Sequence, residues 1–413
     1  MGNKSILVVG GGISGITAAL EASEVGYEVF LLEKRPFLGG RITQLNQYFP
    51  KLCPPNCGLE MNLKRIKNSP YVKYFTQAEV EGITGQEGDF TVQVKLAPRF
   101  VTNKCTACNK CLDVCPEGRS DDFNYGLGTT KAIYLPSMFA FPFKFVIDAQ
   151  ACQGTKCNKC AEVCPYGAID LNMQPRSMTL QVGAIIWATG YNPYDVTKLT
   201  QYGSGQYKNV VTNVQMERLA AKNGPTNGQI LRPSDGKPVE KIAFVQCAGS
   251  RDETNLAFCS AICCMASLKQ ATYVRERHPD AQISIFFIDI RALGRYEEFY
   301  NNVMNLGNIT LVKGKVGTIT EDATTKDVTL QAEDQEAGRL ITETFDLVVL
   351  ATGMDPASKN VSIDLPRTAD GFVADTVPGI YGAGCSNRPQ DVSGSVQDAT
   401  AAALKAIQSV VGR

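Results

Sequence analysis

The chain has 413 residues, 44% of them hydrophobic, which is enough to bury two or three domain cores. Lys+Arg and Asp+Glu balance at 41 each, excluding a bulk-charge attraction to nucleic acid; the longest apolar stretch, Ala132 to Ile147, is broken by Pro136, Pro142 and Lys144, excluding a membrane span there. Fifteen cysteines against one histidine point to sulfur-ligated metal or redox chemistry in a reducing compartment, not to a disulfide framework or a mixed Cys/His zinc or copper site.

The N-terminus enters a strand within a few residues and leaves no room for a signal peptide, so a cytoplasmic location is expected. An apolar run from Ile6 to Val9 leads into a Gly-rich turn, an amphipathic stretch and a second apolar run ending at Glu33. Gly10, Gly12 and Gly15 satisfy G-x-G-x-x-G in the strand–turn–helix context that dinucleotide binding needs. The first glycine allows the tight turn, the second lets backbone approach a pyrophosphate, and the third lets the helix pack on the strand. The helix N-terminus offers partial positive charge, and Glu33 sits where a carboxylate meets ribose hydroxyls. The following "EKRPFLGGR" resembles FAD-binding domains of the disulfide-reductase superfamily. The contacts expected here are Gly10, Gly12, Ile13, Ser14, Gly15, Glu33, Lys34, Gly40 and Arg41. Cys53 and Cys57 follow in "KLCPPNCGLE", read as a loop stiffened by Pro54 and Pro55 or as flavin-proximal thiols.

Next come Cys105, Cys108, Cys111 and Cys115, then Cys152, Cys157, Cys160 and Cys164, each run closed by a proline. The first matches C-x2-C-x2-C-x3-C-P, and the second is a variant with a longer first gap. Paired runs of this kind mark a two-cluster ferredoxin, in which the fourth Cys of each run serves the other cluster. One [4Fe–4S] set is therefore Cys105, Cys108, Cys111 and Cys164. The other is Cys152, Cys157, Cys160 and Cys115. Structural zinc is the alternative and would need two sets of four thiolates in the same doubled pattern. The aromatic-rich spacer "YLPSMFAFPFKF" reads equally as a docking flap or a packed loop.

"IIWATGY" contributes Ala188, Thr189 and Gly190 to the flavin set, with Trp187 read as core. Together with "VVLATGM" it marks crossings between an FAD domain and a second nucleotide domain. In that second domain a pyridine nucleotide would want G-x-G-x-x-G/A, but "VQCAGSRDE" has only Gly249. It offers Cys247, Cys259, Cys263 and Cys264 instead, a set suited to a non-standard [4Fe–4S] site; inert buried thiols or an active dithiol are the alternatives. Lys269, on the same predicted helix, is the candidate catalytic residue, its ammonium directed toward the flavin. Arg251 and Arg291 are further basic candidates, and His278 has no assigned role. Near the C-terminus, "PGIYGAGCSNRPQDVSGSVQDA" has the form of the motif that closes over the flavin, giving Gly384, Cys385, Asp391 and Val392. Cys385 stands where such enzymes usually have Asp, so Asp391 or backbone amides are expected to take over its task.

"QCAGSRD…FCSAICCMASLKQA", "IDIRALGRYEEFY" and "GAGCSNRPQDVSGSVQDA" together resemble the A subunits of heterodisulfide reductases. That resemblance implies an α/β, thioredoxin-reductase-like, two-nucleotide-domain flavoprotein with a Rossmann-type FAD domain and an inserted two-cluster ferredoxin domain. The expected division is 1–100 and 173–238 for the FAD domain and its crossover, 101–172 for the insertion, 239–353 for the thiol-bearing second domain, and 354–413 for the FAD closure. Those proteins usually carry further N- and C-terminal domains. Within that family the shorter form seen here resembles most the A subunits of quinone-interacting membrane-bound oxidoreductases of sulfate-reducing bacteria. The resemblance implies FAD, three [4Fe–4S] clusters, a membrane haem subunit, and a second flavin/iron–sulfur subunit. It also implies electron relay between menaquinone and adenylylsulfate reductase, with peripheral membrane association through partners. The competing readings are a soluble NAD(P)H-dependent flavin oxidoreductase and a flavin-based bifurcating subunit.

Overall fold

The apolar run Ile6–Val9 is a strand buried on both faces, the pattern of a central parallel strand. In the computed structural model, which describes residues 3–412, it lies in a five-stranded sheet of order Ile380–Gly382, Ala184–Trp187, Ile6–Val9, Val29–Glu33, Val72–Thr76. All four pairings are parallel. A three-stranded antiparallel sheet (Ala78–Gln86, Asp89–Leu96, Arg176–Val182) shares an apolar core with it, and Phe90, Val92, Val182 and Trp187 lie in that core. The helix Ile13–Glu24 packs against the closing helix Val392–Val411. These elements belong to one of two compact units, made of the chain up to Thr43, Asn56–Tyr191 and Pro356 onward.

Both cysteine runs lie within this unit, in an insertion between Leu96 and Arg176 that joins two strands of the antiparallel sheet. They have a core of their own around Val101, Ile133, Phe145 and Ile147. The long spacer ties the insertion down: Leu38 N donates to Phe141 O at 2.8 Å, the Phe141 ring lies 5.2 Å from Tyr74, and the tilted Phe37 and Phe123 rings lie 6.1 Å apart. Met138, Phe139 and Phe143 of the same spacer remain exposed. Neither simple reading covers the whole spacer, because some of its residues are packed and others exposed.

The second unit comprises Gln44–Pro55 and Asn192–Asp355. Its parallel sheet runs Val210–Thr212, Leu347–Thr352, Lys241–Ala248, Gln282–Phe287, Ile309–Lys313, accompanied by the antiparallel strands Val316–Glu321, Val328–Asp334 and Arg339–Phe345. Four of its five parallel strands repeat the order of the first unit; the edge strand comes from the start of the unit and not from its end. The second unit already holds 192–238, which the expected division gave to the FAD domain and its crossover. Val210–Thr212 is needed as its edge strand, and the helix Asn213–Ala220, started by a Thr212/Gln215 capping box, buries Met216 and Ala220 beside Met265 and Leu268. Gln44–Pro55 also joins it, with Phe49 against Tyr296 at 5.5 Å. The sequence showed no sign of that excursion.

Candidate functional site

The glycine turn is crowded backbone on backbone. A Cβ on Gly10, which has φ +111°, would fall 2.3 Å from Ala188 O, and one on Gly15 would fall 1.7 Å from Gly10 O. A Cβ on Gly40, at φ +61°, would fall 2.7 Å from Gly12 Cα, and Gly39 N donates to Gly11 O at 2.7 Å. Only glycines permit three loops to converge at the carboxyl ends of adjacent parallel strands, where α/β sheets bind ligands. Gly12 caps the helix Ile13–Glu24 without a side-chain hydrogen bond, so no cap claims the amides of the turn carrying Ile13 and Ser14. Glu33 supports the turn: Oε2 accepts from Gly11 N and Oε1 from Arg35 N, both at 2.7 Å. Burial raises its pKa against those two hydrogen bonds. Each oxygen keeps acceptor capacity for ribose hydroxyls.

Around this turn Gly190 N donates to Ser386 Oγ at 2.7 Å, and Thr189 Oγ1 lies 3.3 Å from the same oxygen. Gly384 fits tightly against Ser14. Arg41 donates to Tyr191 O, stacks over the Tyr191 ring at 5.1 Å and reaches Tyr125 Oη at 3.3 Å. Asp391 caps the closing helix that begins at Val392, accepting from Gly394 N at 2.7 Å. The Cys385 thiol lies 3.4 Å from Gln390 O, and burial pushes its pKa up. Asp398 organises this loop, accepting from Gly384 N at 2.8 Å and from Asn387 and Gln390 at 3.3 Å. It lies a full turn and more into a helix, outside any local motif. Lys34 is on the surface, paired with Glu79 at 3.1 Å and well exposed.

The eight cysteines of the insertion divide between two cavities. The first is lined by Cys105, Cys108, Cys111 and Cys164, the second by Cys115, Cys152, Cys157 and Cys160. Each encloses about 340 Å³ of empty space, solvent at its mouth included. The exchange of the fourth cysteine follows from the packing of the two short helices Lys110–Val114 and Lys159–Glu162 against each other. Each begins after an asparagine in the left-handed region, Asn109 at φ 67° and Asn158 at φ 52°. Backbone amides of Ala107, Gly154 and Ala168 point at the sulfurs of Cys105, Cys152 and Cys164 at 3.3–3.4 Å. Burial pushes the Cys111 thiol up to about 12 and, with Cys152 beside it, Cys160 up to about 11. Thiolates gathered this way suit a cationic core that displaces their protons. Among the described residues no three Cys, His, Asp or Glu side chains converge tightly enough for a single metal ion. A four-iron core is wider, and its sulfurs stand apart around a cavity.

In the second unit, pairing of Lys241–Ala248 with Leu347–Thr352 slips between Val245 and Ala248, and Cys247 sits in the slip at φ +57°. That left-handed conformation is costly for a residue with a Cβ and re-aims the thiol. Cys263 and Cys264 open the helix Cys263–Arg277, which has no side-chain cap. Cys259 Sγ accepts from Ala261 N at 3.4 Å. Burial pushes the Cys247 thiol up to about 11, Cys264 raises it further and Arg251 opposes them; Cys263 is driven up by burial and then by Cys247. The four thiols thus form one electrostatic group. Arg251 and Arg291 both pair with Asp289. At the neighbouring Gly249, φ +76°, the Tyr194 ring stands where a Cβ would be, 2.3 Å away. A pyrophosphate would need that approach.

Lys269, expected to direct its ammonium toward the flavin, is a buried ion-pair member. Its ammonium lies 3.0 Å from Glu217 Oε1 and 2.8 Å from Gln47 O, with both side chains 3% exposed. Glu217 also accepts from Gln270 at 2.7 Å, Asn46 N at 2.9 Å and Tyr273 at 3.2 Å. Nothing around Glu217 in the sequence marks it. His278 contacts Ile230 O, and Trp187 is 1% exposed in the core. Cys53 and Cys57 are exposed.

The FAD-dependent oxidoreductase family matches residues 5–65, and a 4Fe–4S binding domain matches residues 144–169. The iron–sulfur A subunit of a CoB–CoM heterodisulfide reductase from Methanopyrus kandleri is 41% identical over 97% of this chain and 63% of its own length. The A subunit of a ferredoxin/F(420)H(2)-dependent CoB–CoM heterodisulfide reductase from Methanosarcina acetivorans is 37% identical over 98% of this chain and 53% of its own. The chain thus spans less than two thirds of these relatives. Thioredoxin reductases of T. acidophilum and Lactococcus lactis superpose with TM-scores of 0.55 and 0.56 at 14% and 15% identity, covering 98% and 99% of this chain and 98% and 100% of theirs. The chain therefore has the thioredoxin-reductase fold, matches the FAD-dependent oxidoreductase family in its first sixty or so residues and a 4Fe–4S binding domain in its insertion, and is similar over nearly its whole length to the A subunits of heterodisulfide reductases.

Proposed function

We propose that this chain is the electron-transfer flavoprotein subunit of a heterodisulfide-reductase-type complex, relaying electrons between FAD and three [4Fe–4S] clusters. The observation that carries it is the division of eight cysteines into two cavities with Cys115 and Cys164 exchanged. Bound FAD exchanges electrons in pairs or singly and each cluster exchanges one, so the set can split a pair. The glycine turn, Glu33 and the loops at Ala188–Gly190 and Gly384–Ser386 hold the dinucleotide. The two cavities hold one cluster each, and Cys247, Cys259, Cys263 and Cys264 hold the third. On the thiol helix Lys269 is a positioning residue, its ammonium neutralised by Glu217 and donating to Gln47 O.

Partner subunits are part of the proposal, supported by the names of relatives that are themselves one subunit of a larger reductase. A narrower reading, with a second flavin/iron–sulfur subunit, a membrane haem subunit, menaquinone and adenylylsulfate reductase, rests on the sequence resemblance alone. Among the described residues no helix is long and apolar enough to cross a membrane. The test is anaerobic purification with iron, sulfide and flavin analysis. About twelve irons per flavin are expected, with NADH and NADPH failing to bleach the flavin while dithionite succeeds. Fewer than about eight irons would sink the two-cavity assignment.

A further inference from the structure

The two cavities are built alike but charged differently. In each, a lysine opens the short helix and lines the space: Lys110 in the first, Lys159 in the second. The second also has Glu117 in its lining, held by Gln153 Nε2 at 2.6 Å, so its charges cancel. No carboxylate lines the first. Instead the Arg99 guanidinium sits behind it, donating to the carbonyls of Phe145 at 2.8 Å, Lys144 at 2.7 Å and Pro36 at 2.6 Å, and Phe145 is part of the lining. Among the described residues no carboxylate pairs with Arg99. Its positive charge acts on Cys105, as does that of Lys144. Asp113 and Asp170, close in sequence to this site, are exposed and line neither cavity.

A cluster gains one negative charge on reduction. Cations without counter-ions, in partly desolvated surroundings, favour that gain, while a lining carboxylate opposes it. We propose that the cluster site of Cys105, Cys108, Cys111 and Cys164 has the higher reduction potential of the two, with Arg99 and Lys110 raising it and Glu117 lowering its neighbour. The insertion then has a built-in downhill direction, from the second cavity to the first. This inference rests on the two-cavity reading above.

The test is a dithionite titration of the anaerobically purified chain followed by electron paramagnetic resonance. One signal marks the first electron, and its splitting by a second reduced cluster nearby marks the next. Glu117→Gln is expected to move the onset of splitting to higher potential and leave the first signal in place. Lys110→Gln is expected to move the first signal to lower potential, so both variants narrow the gap. Arg99→Gln should act like Lys110→Gln, and Arg99→Lys should restore the native position; if Arg99→Gln fails to fold, the other two variants still decide. A first signal moved by Glu117→Gln, or a gap unchanged in both Glu117→Gln and Lys110→Gln, overturns the order. Iron and sulfide short of two four-iron cores would overturn the two-cavity reading itself, a distinguishable result.

Discussion

Two strand-to-helix turns hold the same position in two sheets that share the order of four parallel strands. After Ile6–Val9 three residues lead into the helix; after Lys241–Ala248 fourteen do. The short turn is glycine pressed on glycine and leaves a helix end without a side-chain cap. The long one carries Cys247 in a strained slip, a tyrosine ring over its glycine, and two more thiols on the first helical turn. The helices differ too: Ile13–Glu24 buries small and apolar side chains, whereas Cys263–Arg277 buries Lys269 against Glu217. Both helix ends favour negative charge, which on the proposed function is phosphate in one case and cluster-bound thiolate in the other. Topology therefore supplies the electrostatic seat, and local side chains choose its occupant.

The comparison breaks first at its glycines. Gly15→Ala puts a methyl into the Gly10 carbonyl and is expected to cost more than about 4 kcal/mol and to strip FAD, read as flavin absorbance per chain and by thermal unfolding. Glu217→Ala, which strands the Lys269 ammonium, should cost about 3–5 kcal/mol in denaturant unfolding, with no counterpart on the first helix. Cys263→Ser should remove about four irons per chain while flavin and the signals of the two cavities persist; unchanged iron would mean that the long turn holds no cluster. Gly249→Ala is expected to cost about 1–3 kcal/mol and keep the flavin; loss of flavin there would make the two turns one site.

The smallest effect is on pH. Asp252, within the long turn, accepts from Thr254 Oγ1 and N, which lowers its pKa from 3.8 to about 2. A depressed carboxylate contributes stability above its unfolded value and loses it as pH falls through the folded one. Less than about 1 kcal/mol should therefore disappear between about pH 4 and 2, absent in Asp252→Asn, and measurable as faster amide exchange in the loop.

Sequence spacing alone determined the glycine turn, the two four-cysteine runs with their exchanged fourth members, and the lack of a second nucleotide fingerprint. Each is a local pattern in which a few residues at fixed separations meet one ligand, so short-range geometry is sufficient. Only the tertiary structure decided where Lys269 points, because Glu217 and Gln47 are far away in sequence and nothing near either marks the encounter. The same holds for Asp398 beneath the Gly384 loop, for Arg99 behind the first cavity, and for the membership of Gln44–Pro55 and 192–238 in the second unit. Those outcomes depend on which apolar faces bury together and which charges that burial leaves paired or unpaired. A chain read one segment at a time does not contain that information.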